Sequence, residues 1–131
     1  MGTDRVWALV RVTFGLSLAG FHGFGKVTGD LTKFTAAVAD LGFPYPAHFA
    51  WAATLAEFAG GLLVAVGLFT RPATALAAFT MMVALYNHRL DPLAKAELAL
   101  LYAVVMIAAV FVGGGRYSID ARLAWLPRWL R

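Results

Sequence analysis

The chain has 131 residues, of which 61% are hydrophobic and only 14% charged, against about 45–50% and about 25% in a typical soluble domain. So few polar side chains cannot cover the core of a soluble domain this small, and lipid is the expected solvent. The formal net charge of +4 then reads as basic loops meeting anionic lipid, not as a nucleic-acid surface, because no basic patch is interleaved with exposed aromatics.

One transmembrane helix needs about 20 mostly apolar residues. The length therefore predicts a single all-α domain over residues 1–131: an integral membrane four-helix transmembrane bundle with a short interfacial helix between the first two spans. The first span is expected at about residues 6–25. Arg5 precedes it, as in a signal peptide, but Arg11 interrupts the would-be hydrophobic region and no A-x-A-like cleavage site follows, so the helix is read as retained. Met1-Gly2 opens no myristoylation motif, because Val6 stands where Ser or Thr is required.

The longest connection follows. Leu31, Phe34, Val38 and Leu41 recur at helical spacing, with Asp30 as N-cap and Gly42 as stop. Pro44-Tyr45-Pro46 forbids continuation. This segment is expected to lie in the interface with its apolar face down. A second span is predicted over about 47–69, with Trp51 at an interfacial position. Thr70-Arg71-Pro72 reads as a tight turn, Pro72 being suited to the first helical position of a third span over about 72–88. A turn at Arg89-Leu90-Asp91-Pro92 leads to a fourth span over about 93–112. Gly113-Gly114-Gly115 ends that span; with Arg116 it also has the composition of an anion-accepting nest, although a helix stop accounts for it. The tail over 116–131 sets Trp125 and Trp129 among Arg116, Arg122, Arg128 and Arg131, an amphipathic basic anchor for the membrane surface.

Charge distribution suggests the orientation. With the N-terminus inside, Arg5, Arg71, Arg116, Arg122, Arg128 and Arg131 lie on the cytoplasmic side, and Lys26, Lys33, Arg89 and Lys95 on the other. Six against four favours both termini in the cytoplasm. Small residues, Gly15 and Ala19 in the first span and Gly60, Gly61 and Gly67 in the second, predict close helix packing, which also suits a homo-oligomer.

Ionisable groups inside a membrane are costly and normally face the bundle interior. Arg11, His22, Glu57, His88 and Glu97 fall in or at the ends of spans, with Lys26 just beyond the first. Arg11 and His22 are about three turns apart and share a face, with Lys26 one turn further. At about 1.5 Å per residue Glu57 lies roughly 15 Å into its span, and Arg11 about 9 Å from the inner surface. Arg11 is therefore expected to reach towards Glu57 and pair with it. His22, Lys26, His88 and Glu97 gather near the outer ends of their helices.

Each group has a plain structural role: an ion pair fixing register for Arg11–Glu57, hydrogen bonding at helix ends for His22 and His88, and a water-facing carboxylate at a helix N-terminus for Glu97. The sharper reading is a proton relay, or a polar contact to a head-group-like ligand. His22, His88 and Glu97 match a two-His-one-carboxylate metal set in type, but they sit on different helices without local ligand spacing, and no metal is expected. His48, beside the proline turn, is read as interfacial. The chain contains no cysteine, which excludes thiolate ligation and dithiol relay chemistry within it.

Several short motifs recur together: His22-Gly23-Phe24-Gly25-Lys26, Gly42-Phe43-Pro44, Glu57-Phe58-Ala59-Gly60-Gly61, Gly67-Leu68-Phe69-Thr70-Arg71, then His88, Glu97 and Gly113-Gly114-Gly115-Arg116-Tyr117-Ser118-Ile119-Asp120. In this order, over roughly residues 10–120, the chain resembles the DoxX family of small four-helix membrane proteins. It departs from the family at Gly114, where a proline is common. The resemblance implies a bacterial or archaeal cytoplasmic (inner) membrane and a redox-linked role, since members include a thiosulfate:quinone oxidoreductase subunit, proteins tied to quinone or catechol resistance, and a membrane partner of thiol-stress enzymes.

On that footing the leading expectation is a quinone-linked oxidoreductase module or subunit acting on a small molecule within the bundle. His22, Glu57, His88 and Glu97 would be the catalytic proton-exchanging groups. Arg11, holding Glu57, and Lys26, attracting an anionic substrate, would serve substrate or quinone binding. The alternative is a non-catalytic scaffold that anchors a soluble redox or stress-response enzyme, a redox partner protein docking on the basic tail. A small-solute transporter fits less well, because there is no internal repeat and no broken span.

Overall fold

The computed structural model describes residues 2–123 and 125–131; Met1, and Ala124 within the predicted tail, lie outside the described residues. Among the described residues the chain is all-helical: α1 (Thr3–Thr28), α2 (Thr32–Asp40), α3 (Pro46–Val66), α4 (Thr70–Asn87) and α5 (Leu93–Val112). α1, α3 and α5 are long and apolar enough to cross a membrane. α4 has 18 residues, about 27 Å at about 1.5 Å per residue, but Thr70, Arg71, Thr74, Thr80 and Asn87 leave it less apolar than the other three. The expected fourth span therefore rests on the way α4 packs between α3 and α5, not on its apolarity.

The helices run up and down. α1 packs on α3, α3 on α4 and α4 on α5, while α1 meets α5 only sparingly. One end of the bundle, the termini end, carries the start of α1, the α3–α4 turn and the end of α5. The other, distal end carries the end of α1, α2, the start of α3 and the α4–α5 turn.

The core is built from Leu18, Val64, Met81, Tyr102 and Met106 with alanines between them, and large apolar side chains point outward instead. Phe21 is 85% exposed and Phe111 74%. The small-in, large-out pattern is that of helices held by close packing in lipid, where burying Leu against protein gains little over burying it in acyl chains. Where α1 crosses α3 the backbones touch. A Cβ on Gly15 would stand 2.6 Å from the Ala65 nitrogen and 2.7 Å from the Gly61 oxygen.

α1 is not a uniform α-helix. Leu18–Gly23 is π-helical, between α-helical stretches Thr3–Ser17 and Phe24–Thr28. Hydropathy carries no signal for such a turn, and it changes the face on which every later residue of α1 emerges.

α4 begins at Thr70, two residues before the predicted Pro72 start. The reason is a cap from far along the chain. Asp120 accepts from the Phe69 and Thr70 amides at 2.9 Å each and from the Thr70 hydroxyl at 2.6 Å. This satisfies donors that a helix start leaves open. Main-chain bonds from Asp120 to Gly67 and from Ile119 to Val66 fold the segment after α5 onto the same turn. The described tail residues, 116–123 and 125–131, thus form turns against the bundle: Ser118, Asp120 and Leu126 are buried, while Trp125 and Trp129 face outward. The N-cap of α2 is Leu31, one residue after the expected Asp30; Asp30 Oδ1 still accepts from the Thr32 amide at 2.8 Å and from its hydroxyl at 2.6 Å.

Gly15→Val places two methyl groups where the α3 backbone already stands. It is expected to lower stability by about 1–3 kcal/mol or more, read as reduced resistance to unfolding in mixed detergent micelles. Gly20→Val, where a Cβ meets nothing within 4 Å, should cost much less.

Candidate functional site

Arg11 does not pair with Glu57. Its guanidinium donates to the α3 carbonyls of Val64 and Ala65 and to Tyr117 O at 2.8 Å, and it is 2% exposed. Helix register explains the correction. Gly23 packs against the Phe58 backbone, so the part of α1 facing Glu57 lies twelve residues beyond Arg11. That is about 18 Å at about 1.5 Å per residue, farther than an arginine extends. Arg11 instead satisfies carbonyls at the C-terminal end of α3, where positive charge is favourable. Asp120, whose charge Arg11 feels, does the converse for the start of α4.

Glu57 is met by Lys26. Its two carboxylate oxygens accept from the ammonium at 2.8 and 2.6 Å, with the Glu57 side chain 4% and the Lys26 side chain 28% exposed. The ammonium also lies 4.2 Å from the centre of the Phe34 ring, a cation–π contact that draws α2 over the pair.

This pair lies in the wall of a partly open cavity of about 260 Å³ between α2, α3 and α4 at the distal end, with Lys26 reaching it from α1. Phe34, Phe43, Phe49 and Phe79 supply aromatic walls. His88 and Asn87, at the end of α4, complete the polar lining. His88 Nδ1 is 2.7 Å from Asp91 Oδ2, so the ring is oriented and Nε2 is the nitrogen left for a ligand. The His88 bond, followed by the nearby Lys95 charge, holds the exposed Asp91 carboxyl below its ordinary range. The sequence reading treated Asp91 only as a turn residue; the three-residue interval from His88 was the available signal.

The six sequence-selected residues thus divide. Lys26, Glu57 and His88 line one cavity. His22, on the π-helical turn, feels the charges of Glu57 and Lys26, but its ring stands edge-on to Tyr102 at 5.2 Å, towards α5. Glu97 is exposed on α5 and Arg11 is at the termini end; neither lines the cavity. Among the described residues His22, His88 and Glu97 do not gather into a group able to hold a metal.

The family model named DoxX matches residues 6–89, which is well over half of the chain and includes every residue of the cavity. The chain belongs to the DoxX family. No curated protein and no solved structure matches it. Membership, with three apolar helices of spanning length, makes it a multi-pass membrane protein of DoxX type. Glu97 and the Gly113–Asp120 segment lie beyond the matched region, so the DoxX match covers the cavity and not the closing loop.

Removing one partner of a buried ion pair strands the other, at a cost of about 3–5 kcal/mol. Lys26→Met should therefore destabilise this DoxX protein strongly. The double variant Lys26→Met/Glu57→Met should recover much of the loss, as measured by a double-mutant unfolding cycle in detergent. Equal destabilisation in single and double variants would mean that the pair is not the source of the cost.

Proposed function

We propose that the chain is a quinone-linked oxidoreductase module or subunit whose distal cavity takes the head group of a quinone. The observation that supports this reading most is the joining of aromatic walls to a half-buried ammonium paired with a buried carboxylate and an oriented histidine in one cavity of about 260 Å³. Such a site suits a flat ring bearing two carbonyl oxygens, and its apolar side suits a lipid-soluble tail.

A bound quinone supplies two-electron, two-proton redox chemistry. The chain's own groups would bind and handle protons. Phe34, Phe43, Phe49 and Phe79 would exclude water and orient the ring. The Lys26 ammonium would donate a hydrogen bond to one side of it, with Glu57 fixing that amine. His88 would hold or release a proton at Nε2, its other nitrogen engaged by Asp91; an oriented histidine of this kind contributes about 10²–10⁴-fold in rate. His22, turned towards Tyr102, would stand beside the site without touching the ring. Electrons would come from a small-molecule donor or a partner protein. The Lys and Arg distribution supports an orientation with both termini in the cytoplasm of an inner membrane, in which the cavity would open towards the opposite face.

Quinone should be identifiable by mass spectrometry in lipid extracts of the gently purified protein. His88→Ala should leave the protein folded and lower reduction of an added short-chain quinone by about 10²-fold. Phe79→Ala should weaken occupancy. Unchanged occupancy and turnover in both variants would sink the proposal. Normal redox phenotype in cells carrying them would favour the anchoring alternative, with outward Trp125 and Trp129 as its docking surface.

A further inference from the structure

A second site lies at the termini end, away from the cavity and built from other residues. An open polar basin of about 370 Å³ is bounded by Arg71, Arg128 and Arg131, with Gly114, Ser118 and Asp120 in its lining. We propose that this basin binds a phosphate group.

Among the described residues Asp120 is the one acidic side chain in the lining, and its oxygens are already taken by Phe69 and Thr70. Ion pairs among the described residues involve Lys26, His88 and Lys95, and none of the three arginines. Three guanidinium groups therefore border one concavity without a side-chain carboxylate partner among the described residues; Arg71 meets only main-chain oxygens. Like charges so placed repel, and a shared anion relieves that repulsion.

The arrangement is also anchored. Arg71 donates from Nε to Arg131 O at 2.5 Å and from Nη1 to Val110 O at 2.8 Å. Among the described residues Nη2 has no protein acceptor, so one edge of a fixed guanidinium is left for a ligand. Tight packing at Gly114 fixes one wall of the basin: a Cβ there would stand 2.7 Å from Ser118 Oγ and 2.8 Å from Thr70 Oγ1. Planar, permanently charged forks around an open hollow match the tetrahedral oxygens of phosphate better than a single carboxylate.

The position suits it as well. The basin sits where α4 begins and α5 ends, the level at which a bundle meets lipid head groups. The phosphate could belong to an anionic phospholipid or to a soluble phosphate, and the two sources are separable.

The test uses the full chain in an uncharged detergent. It is titrated with inorganic phosphate, and separately reconstituted in nanodiscs of phosphatidylcholine with or without phosphatidylglycerol. Binding is followed by tryptophan fluorescence and by lipid retention in native mass spectrometry. Saturable, salt-sensitive binding of phosphatidylglycerol alone identifies a lipid head group; binding of both probes shows that phosphate itself suffices.

The double variant Arg128→Gln/Arg131→Gln should weaken binding by about tenfold or more without lowering thermal stability, since neither side chain makes a hydrogen bond among the described residues. A charge-matched pair at the distal end, Lys33→Gln/Arg89→Gln, should bind as the parent does. Absence of saturable binding, equal losses in the two double variants, or full binding by Arg128→Gln/Arg131→Gln would overturn the proposal.

Discussion

A charge that cannot reach water has to find its opposite inside the protein, and this bundle is arranged around that requirement. Arg11 and Glu57 are each almost completely buried, in helices whose outward side chains are mostly apolar. Each is met, but by different chemistry. Glu57 is met by a full opposite charge. Arg11 is met by carbonyl oxygens at the end of a helix, partial charges that the helix would otherwise leave unsatisfied. In hydrocarbon both solutions become structural necessities, because no solvent stands by to replace a missing partner.

The two solutions divide the molecule. At the termini end, Arg11 and Asp120 close the α3–α4 turn from its two sides, one on the carbonyls before it and one on the amides after it. A segment from beyond α5 thereby holds the first two apolar spans to the rest. At the distal end the Lys26–Glu57 pair is less enclosed, and it faces a cavity whose third wall is the nine-residue helix α2. Rigidity is concentrated where the turn is tied, and space is left where the pair is.

Much of this architecture was legible in the sequence. Apolar runs located α1, α3 and α5, and Asp30 with Gly42 bracketed α2 to within about two residues. The ionisable residues worth attention were visible because they were out of place in so apolar a chain. Their partners were not visible. Arg11 and Lys26 both lie on α1, and composition cannot say which of them faces Glu57. That depends on the register of two antiparallel helices, set by the close Gly15–Gly61 approach and by a π-helical turn that hydropathy does not encode. Asp120 was hidden for another reason: it caps a helix fifty residues earlier, and capping signals are read locally. Glu97 attracted attention by type alone and proved to be exposed.

The π-helical turn over Leu18–Gly23 has a consequence for how such a chain can change. It works as a one-residue surplus within α1. Removing that surplus would restore ordinary α winding and leave everything beyond it facing as it does now, whereas the same deletion in a uniform α-helix rotates everything beyond it by about 100° about the helix axis. A deletion between Arg11 and the π-helical turn would swing the lysine off the carboxylate, while Arg11, on the near side, would keep its carbonyls. The turn is therefore a place where α1 can shed a residue and keep both ends engaged, a change that no side-chain replacement reproduces.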